Sequence, residues 1–169
     1  MLSNEVLKEL QRYVDSHIFI LDAMRAEPVR CFSKAYEYER VKPNDMSDFI
    51  KINKKPSFSS ILLKYIDKLG VNDSEVYKKA GIDRRHFSKI RSNPGYHPGK
   101  NTAIALALAL GLNLKEAGRL IGAAGYTLSD SETFDLVITF CLDRKIYDIN
   151  DVNLALDYFS LKLLVGTSE

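Results

Sequence analysis

Apolar residues recur every three to four positions along most of the chain, which is the spacing of one face of an α-helix. Residues 1–25 carry such a stripe and predict one amphipathic helix, for which a break near His17 stays open. Between residues 28 and 56 the periodicity gives way to mixed aromatic and charged positions. We therefore predict a linker with one or two short helices, ending at about residue 56 in the basic segment KINKKPS.

Residues 57–125 show five helical patterns at short intervals, each bounded by residue types that start or stop a helix. The predicted helices are residues 58–69 after a cap at Ser57, residues 75–80 after a cap at Asp73 or Ser74, residues 84–92 after a cap at Asp83, the segment NTAIALALALGL, and residues 113–124. The alternating alanines and leucines of NTAIALALALGL imitate a strand. Because alanine is the best helix former, we predict a buried helix instead.

Two further patterns, SETFDLVITFCLDR and INDVNLALDYF, predict helices in the last part of the chain. No segment requires a strand, so the predicted fold class is all-α. The predicted division is an N-terminal helix and linker (1–56), a five-helix domain (57–125) and a C-terminal helical extension (126–169). The predicted core of the five-helix domain is Leu62, Ile66, Val76, Phe87, Ile90, Ile104, Leu108 and Leu120.

Apolar residues in the two flanking segments exceed what the five-helix domain needs. They either pack on one another within the chain or form a symmetric dimer contact. A homodimer is therefore one of the predicted assemblies. These residues are Leu7, Leu10, Val14, Phe134, Val137, Ile138, Leu154, Leu161 and Leu164.

The composition is that of a globular protein, with 46% hydrophobic and 27% charged residues and no run near 18 apolar residues. We expect no membrane partner. The N-terminus lacks the pattern of a secretory signal, so the cytoplasm is the expected location. Cys31 and Cys141 lie far apart without a CxxC pair, and we expect buried or idle thiols rather than a disulfide or a zinc site.

No group of residues predicts catalysis, and we expect neither a cofactor nor a metal. The three histidines are scattered, and the carboxylates of the C-terminal extension fall at helix caps and exposed positions. The segment GYHPGKNT lacks the spacing and the preceding strand of a phosphate-binding P-loop. The chain is therefore predicted not to be an enzyme.

The charges are distributed unevenly along the chain. Residues 72–102 carry seven Lys and Arg against three Asp and Glu, whereas residues 103–169 carry five against nine. In the basic block, Arg84 and Arg85 occupy the first turn of a predicted helix, where the helix dipole disfavours cations. This placement favours a surface that binds the phosphates and base edges of a nucleic acid. The alternative is that these cations are ordinary solvent-exposed charges without a partner.

The run SEVYKKAGIDRRHFSKIRSN, followed by a loop and NTAIALALALGLNLKEAGRLI, resembles the five-helix DNA-binding domain of phage-repressor-type helix-turn-helix proteins. The resemblance covers about 70 residues. It lies in the turn Gly81, Ile82 and Asp83 and in the apolar positions Phe87 and Ile90. Through YVDSHIF and AGYTLSDSETFDLVITF the chain is also similar to an uncharacterised bacterial module, often found C-terminal to macro or von Willebrand A-type domains.

The repressor resemblance implies a role for each exposed position around the second helix of the pair, which enters the major groove of double-stranded DNA. Arg84 and Arg85 lead into the groove, Ser88 and Lys89 follow one turn on, and Ser92 lies near the backbone. Phosphate contacts are implied for Ser74, Lys100, Asn101 and Thr102.

Two functions follow as hypotheses. The first is a sequence-specific DNA-binding protein that regulates transcription. The second is a protein-interaction module on a helix-turn-helix scaffold without DNA binding. The dependence of binding affinity on salt concentration distinguishes the two hypotheses. Binding through phosphate contacts weakens steeply as salt rises, whereas binding through apolar contacts does not.

Overall fold

The computed structural model describes residues 2–24 and 43–164. These residues form nine α-helices and no strand, which confirms the all-α prediction for the described part of the chain. The helices are α1 (Asn4–Met24), α2 (Pro43–Asn53), α3 (Phe58–Leu69), α4 (Asp73–Lys79), α5 (Arg84–Ser92), α6 (Lys100–Ala109), α7 (Leu114–Ala123), α8 (Thr133–Asp143) and α9 (Ile149–Tyr158).

Local side-chain chemistry sets several helix ends where the sequence predicted them. The Ser57 side chain accepts a hydrogen bond from the backbone N–H of Ser60 at the start of α3. The Asp83 carboxylate caps α5 in the same way. Gly70 ends α3 in the left-handed conformation, with φ of 63°, which a residue with a side chain adopts only at a cost.

The interior of α1 and the start of α4 differ from the prediction. α1 runs unbroken past His17, whose Nδ1 lies 2.9 Å from the Tyr13 carbonyl oxygen one turn earlier. The helix therefore continues through His17 without a break. α4 begins at Asp73 with Asn72 at the cap position, because acidic residues are favourable within the first turn as well as at the cap.

One continuous hydrophobic core joins the five-helix domain to its flanking helices. All eight predicted core residues are buried, and α6 lies at the centre with residues 103–108 inaccessible to solvent. α6 packs against α4, α7 and α9, while α1 packs against α8. The packing therefore crosses both of the predicted boundaries, at residues 56 and 126.

The apolar residues of the flanking segments pack within the chain. Leu10, Val14, Val137, Ile138 and Leu164 are buried in the common core. Phe134 and Leu161 are partly buried and pack against this core, while Leu7 is half-buried. Only Leu154 of the nine is exposed. Of the two alternatives left open by the sequence, intrachain packing is the one observed for the five buried residues and for Phe134 and Leu161.

Candidate nucleic-acid interface

A tight turn joins α4 to α5. Gly81 adopts φ of 61°, and the N–H of Ile82 donates a 2.9 Å hydrogen bond to the carbonyl of Tyr77. Asp83 then caps α5 by accepting a 2.7 Å bond from the N–H of Arg85. Because glycine tolerates this conformation and aspartate restarts the helix, the local sequence produces two short helices joined by a tight turn.

α5 has one apolar and one cationic face. Phe87 and Ile90, three residues apart, are buried, and the Phe87 ring lies 5.8 Å from the ring of Tyr77 on α4. Arg84 and Arg85 are exposed on the opposite side. The two apolar anchors therefore fix the helix on the domain with its cations directed to solvent.

The exposed cations of α5 differ in their partners. Arg91 forms an ion pair with Asp73 at the start of α4, which ties the two helices together. Arg84 and Arg85 have no carboxylate partner among the described residues. The nearby Asp83 cap offsets part of their unfavourable interaction with the helix dipole. Two arginines at this end remain available to an external anion.

The loop after α5 is fastened to that helix through Tyr96. Its hydroxyl lies 3.1 Å from Nε2 of His86, and the Lys89 ammonium lies 4.9 Å from the centre of its ring. His86 thus has a packing partner within the chain. Lys89 and Ser92 are exposed at the end of α5 next to this loop.

A cleft of about 680 Å³ lies between the end of α3 and the α4–α5 pair. Ser74, Arg84 and Ser88 line it, and all three are exposed. Asp67 and Asp73 line it as well, so its charge is mixed. The structure therefore places three of the sequence-predicted contact residues around one concavity.

The three predicted contacts at the start of α6 have a different environment. The Lys100 ammonium donates a 2.6 Å hydrogen bond to Oδ2 of Asp135, which is 1% exposed. Asn101 and Thr102 are half-buried. Lys100 is thus engaged by an internal carboxylate, and the cationic surface of this region comes from α5 rather than from α6.

A second concave surface, which the sequence reasoning did not single out as a site, lies between the α2–α3 linker, α3, α7 and the α5–α6 loop. We call it the basic groove, and its volume is about 1520 Å³. Its cations are Lys51, Lys54, Lys55, Lys64, Lys68 and Arg119. The segment KINKKPS signalled part of it, but Lys64, Lys68 and Arg119 join it only through the folding of α3 and α7.

Other candidate chemistry is sparse within residues 2–24 and 43–164. No three His, Cys, Asp or Glu side chains there lie together in a way that suits a metal ion. Cys141 is buried, and burial, with a smaller contribution from Asp151, raises the pKa of its thiol from 9.0 to about 12. Such a thiol is a poor nucleophile at neutral pH. Cys31 lies outside the described residues.

No helix in the described ranges is both long and apolar enough to span a bilayer. Compared with known proteins, the chain matches no family model, no curated protein and no solved structure.

Proposed function

We propose that this protein binds double-stranded DNA sequence-specifically and regulates transcription, with α5 in the major groove. The observation that carries the proposal is the pair of exposed arginines at the start of α5, which lack an internal carboxylate partner and project from a helix anchored by Phe87 and Ile90. A helix with unpaired cations at its N-terminal end is the kind of element that other DNA-binding proteins place in the major groove.

The chemistry of each side chain suggests its role. A guanidinium offers two parallel donors that match O6 and N7 of guanine, so Arg84 and Arg85 are assigned to base edges. Ser88, one turn on, offers a single hydroxyl to a base or a phosphate. Lys89, near the end of the helix, is assigned to a phosphate as a point charge.

The alternative, a protein-interaction module, gains its support from the basic groove, whose floor includes the apolar side chains Ile61 and Tyr65. That surface is separate from the exposed face of α5, and its occupation does not exclude DNA binding. The two functions are therefore tested separately.

Selection from a pool of random duplex DNA tests the proposed function. The purified protein is expected to enrich a short common sequence over successive rounds. If the enriched duplexes share no common sequence, sequence-specific binding is contradicted, and only non-specific electrostatic binding to DNA would remain.

Alanine variants of the α5 cations test the assigned roles on the selected duplex. Arg84→Ala and Arg85→Ala should each weaken binding by about 1 to 3 kcal/mol and relax preference at one position. Lys89→Ala should weaken all sequences alike and lower the salt slope by about one. The free energy of unfolding should change by less than about 0.5 kcal/mol for the two arginine variants, whose side chains are exposed. Lys89→Ala should lower it by up to about 1 kcal/mol, because it also removes the cation–π contact with Tyr96.

The matched control is Lys115→Ala, an exposed lysine on α7 that should leave binding unchanged. Equal losses for Arg84→Ala, Arg85→Ala and Lys115→Ala would show that only net charge matters, which is contrary to the assigned roles.

A further inference from the structure

The basic groove combines cations with apolar and aromatic side chains. Its described lining residues include five lysines and one arginine, and no aspartate or glutamate. The same lining contains Ile61, Tyr65 and Ala123, and His97 of the α5–α6 loop adds a second ring. An occupant that satisfies the whole surface must therefore be anionic and must also cover apolar and aromatic groups.

Four of the six cations are exposed and form no ion pair with any described residue. They are Lys54 and Lys55 of the α2–α3 linker, Lys64 of α3 and Arg119 of α7. The other two, Lys51 and Lys68, pair with carboxylates at 3.6 and 3.3 Å. Because the unpaired four come from three separate elements, the fold gathers uncompensated positive charge on one concave surface, which favours an anionic partner.

α7 presents the groove with positions that carry no side chain. Gly118 and Gly122 lie one turn apart on that helix, and both line the groove. A Cβ added at either position would meet no atom of the rest of the protein within 4 Å, so the space beside them is open. With a volume of about 1520 Å³, the groove exceeds typical small-molecule sites of about 300 to 1,000 Å³, and a segment of a polymer suits it better.

We propose that the basic groove binds single-stranded nucleic acid, with phosphates along its cations and unpaired bases stacked on Tyr65 and His97. Proteins that bind single strands combine a cationic groove, which follows the backbone, with aromatic side chains on which bases stack. This site lies apart from the exposed face of α5, and its occupation does not depend on duplex binding by that helix.

The apolar and aromatic part of the groove favours a single strand over the other anionic polymers. In a duplex the base faces are stacked on one another, so phosphates alone would reach the groove and leave Ile61 and Tyr65 uncovered. An acidic peptide must divide its residues between carboxylates and apolar side chains. Every nucleotide of a single strand carries both a charge and a stacking face, and it therefore satisfies both parts of the surface along its length.

Titration of a labelled oligodeoxythymidine of about 12 nucleotides, followed by fluorescence anisotropy, tests the proposal. The parent should bind it, with an affinity that falls as salt rises. The variant with Lys64→Ala and Arg119→Ala should bind at least about tenfold more weakly at about 0.1 M salt. Its salt slope should be smaller by about 1.4, since each phosphate contact of a single strand contributes about 0.7. The matched control, Lys8→Ala with Lys115→Ala, removes two exposed lysines outside the groove and should bind like the parent.

Further variants test the stacking and the open space without removing a lysine or an arginine. Tyr65→Leu and the exposed His97→Ala should each weaken binding by at least about fivefold, because a base then loses the ring on which it stacks. Gly118→Leu with Gly122→Leu should abolish binding, because the new side chains fill the groove, whereas alanine at both positions should retain most of it. Circular dichroism should show unchanged helicity in all variants.

Competition in the Arg84→Ala, Arg85→Ala protein identifies the class of ligand. That protein should bind the single strand like the parent, so the outcome is independent of whether α5 binds duplex DNA. A duplex of the same length and polyglutamate should each displace the probe at least about tenfold less effectively than unlabelled single strand. Equal displacement by the duplex would overturn the proposal in favour of a site for double-stranded DNA, and equal displacement by polyglutamate in favour of an acidic peptide. Absence of binding at low salt, or groove variants that bind like the parent, would also overturn it.

Discussion

Phe87→Ala should lower the free energy of unfolding by about 3 to 5 kcal/mol, because it removes a large ring from a site that is 3% exposed. The ring packs against Tyr77 with centroids 5.8 Å apart and, with Ile90, holds α5 on the domain. α5 is a short helix of nine residues, which has little stability of its own without this anchor. Denaturant unfolding followed by circular dichroism measures the change.

The neighbouring substitution Ser88→Ala serves as the control, since Ser88 is exposed on the other face of α5. It should alter the unfolding free energy by less than about 0.5 kcal/mol. A Phe87→Ala protein that unfolds at the same denaturant concentration as the parent would show that α5 does not pack as described, and the orientation of its cations would then be wrong as well.

Lys100→Met should destabilise the protein by about 2 to 3 kcal/mol, because it leaves the carboxylate of Asp135 buried without its cation. Asp135 keeps only the N–H of Ser129, at 2.8 Å from Oδ2, while Oδ1 has no hydrogen-bond partner among the described residues. Lys100 is itself 29% exposed, which places the expected cost below that of a fully buried pair.

Adding Asp135→Asn to Lys100→Met should recover most of the stability, since the buried charge is gone and an acceptor for the Ser129 N–H remains. Lys115→Met, at an exposed lysine of α7, should have little effect. If Lys100→Met lowers the free energy of unfolding no more than Lys115→Met does, the ion pair between Lys100 and Asp135 does not form. Lys100 would then be available, like the α5 cations, to bind an external anion.

The ends of several helices, the α4–α5 pair and the cationic face of α5 could be predicted from the sequence, because they depend on local chemistry. Ser57 and Asp83 cap their helices, Gly70 and Gly81 adopt left-handed conformations, and the spacing of Phe87 and Ile90 defines the buried face of α5. Each of these signals acts within a few residues along the chain. The predicted start of α4 was less exact: Asp73 or Ser74 was expected at the cap position, which Asn72 occupies, because several neighbouring polar residues can serve as a cap.

Features that depend on distant parts of the chain could not be predicted in the same way. Lys100 and Asp135 are 35 residues apart, and nothing in either local segment indicates that they meet. The basic groove draws Lys64 from α3 and Arg119 from α7, and these join the linker lysines only after the helices pack. Spacing within a segment specifies which face of a helix is apolar, but not which other helix covers it.

Titration of duplex DNA with the parent protein at several salt concentrations tests the central proposal most directly. The cations of α5 predict binding that weakens as salt rises, with a slope of log K against log salt of about −1 or steeper, since Lys89 replaces a counterion on a phosphate. Fluorescence anisotropy of a labelled duplex measures it. Absence of salt-sensitive binding at low ionic strength, where the attraction is strongest, would contradict the account and leave α5 an ordinary charged face.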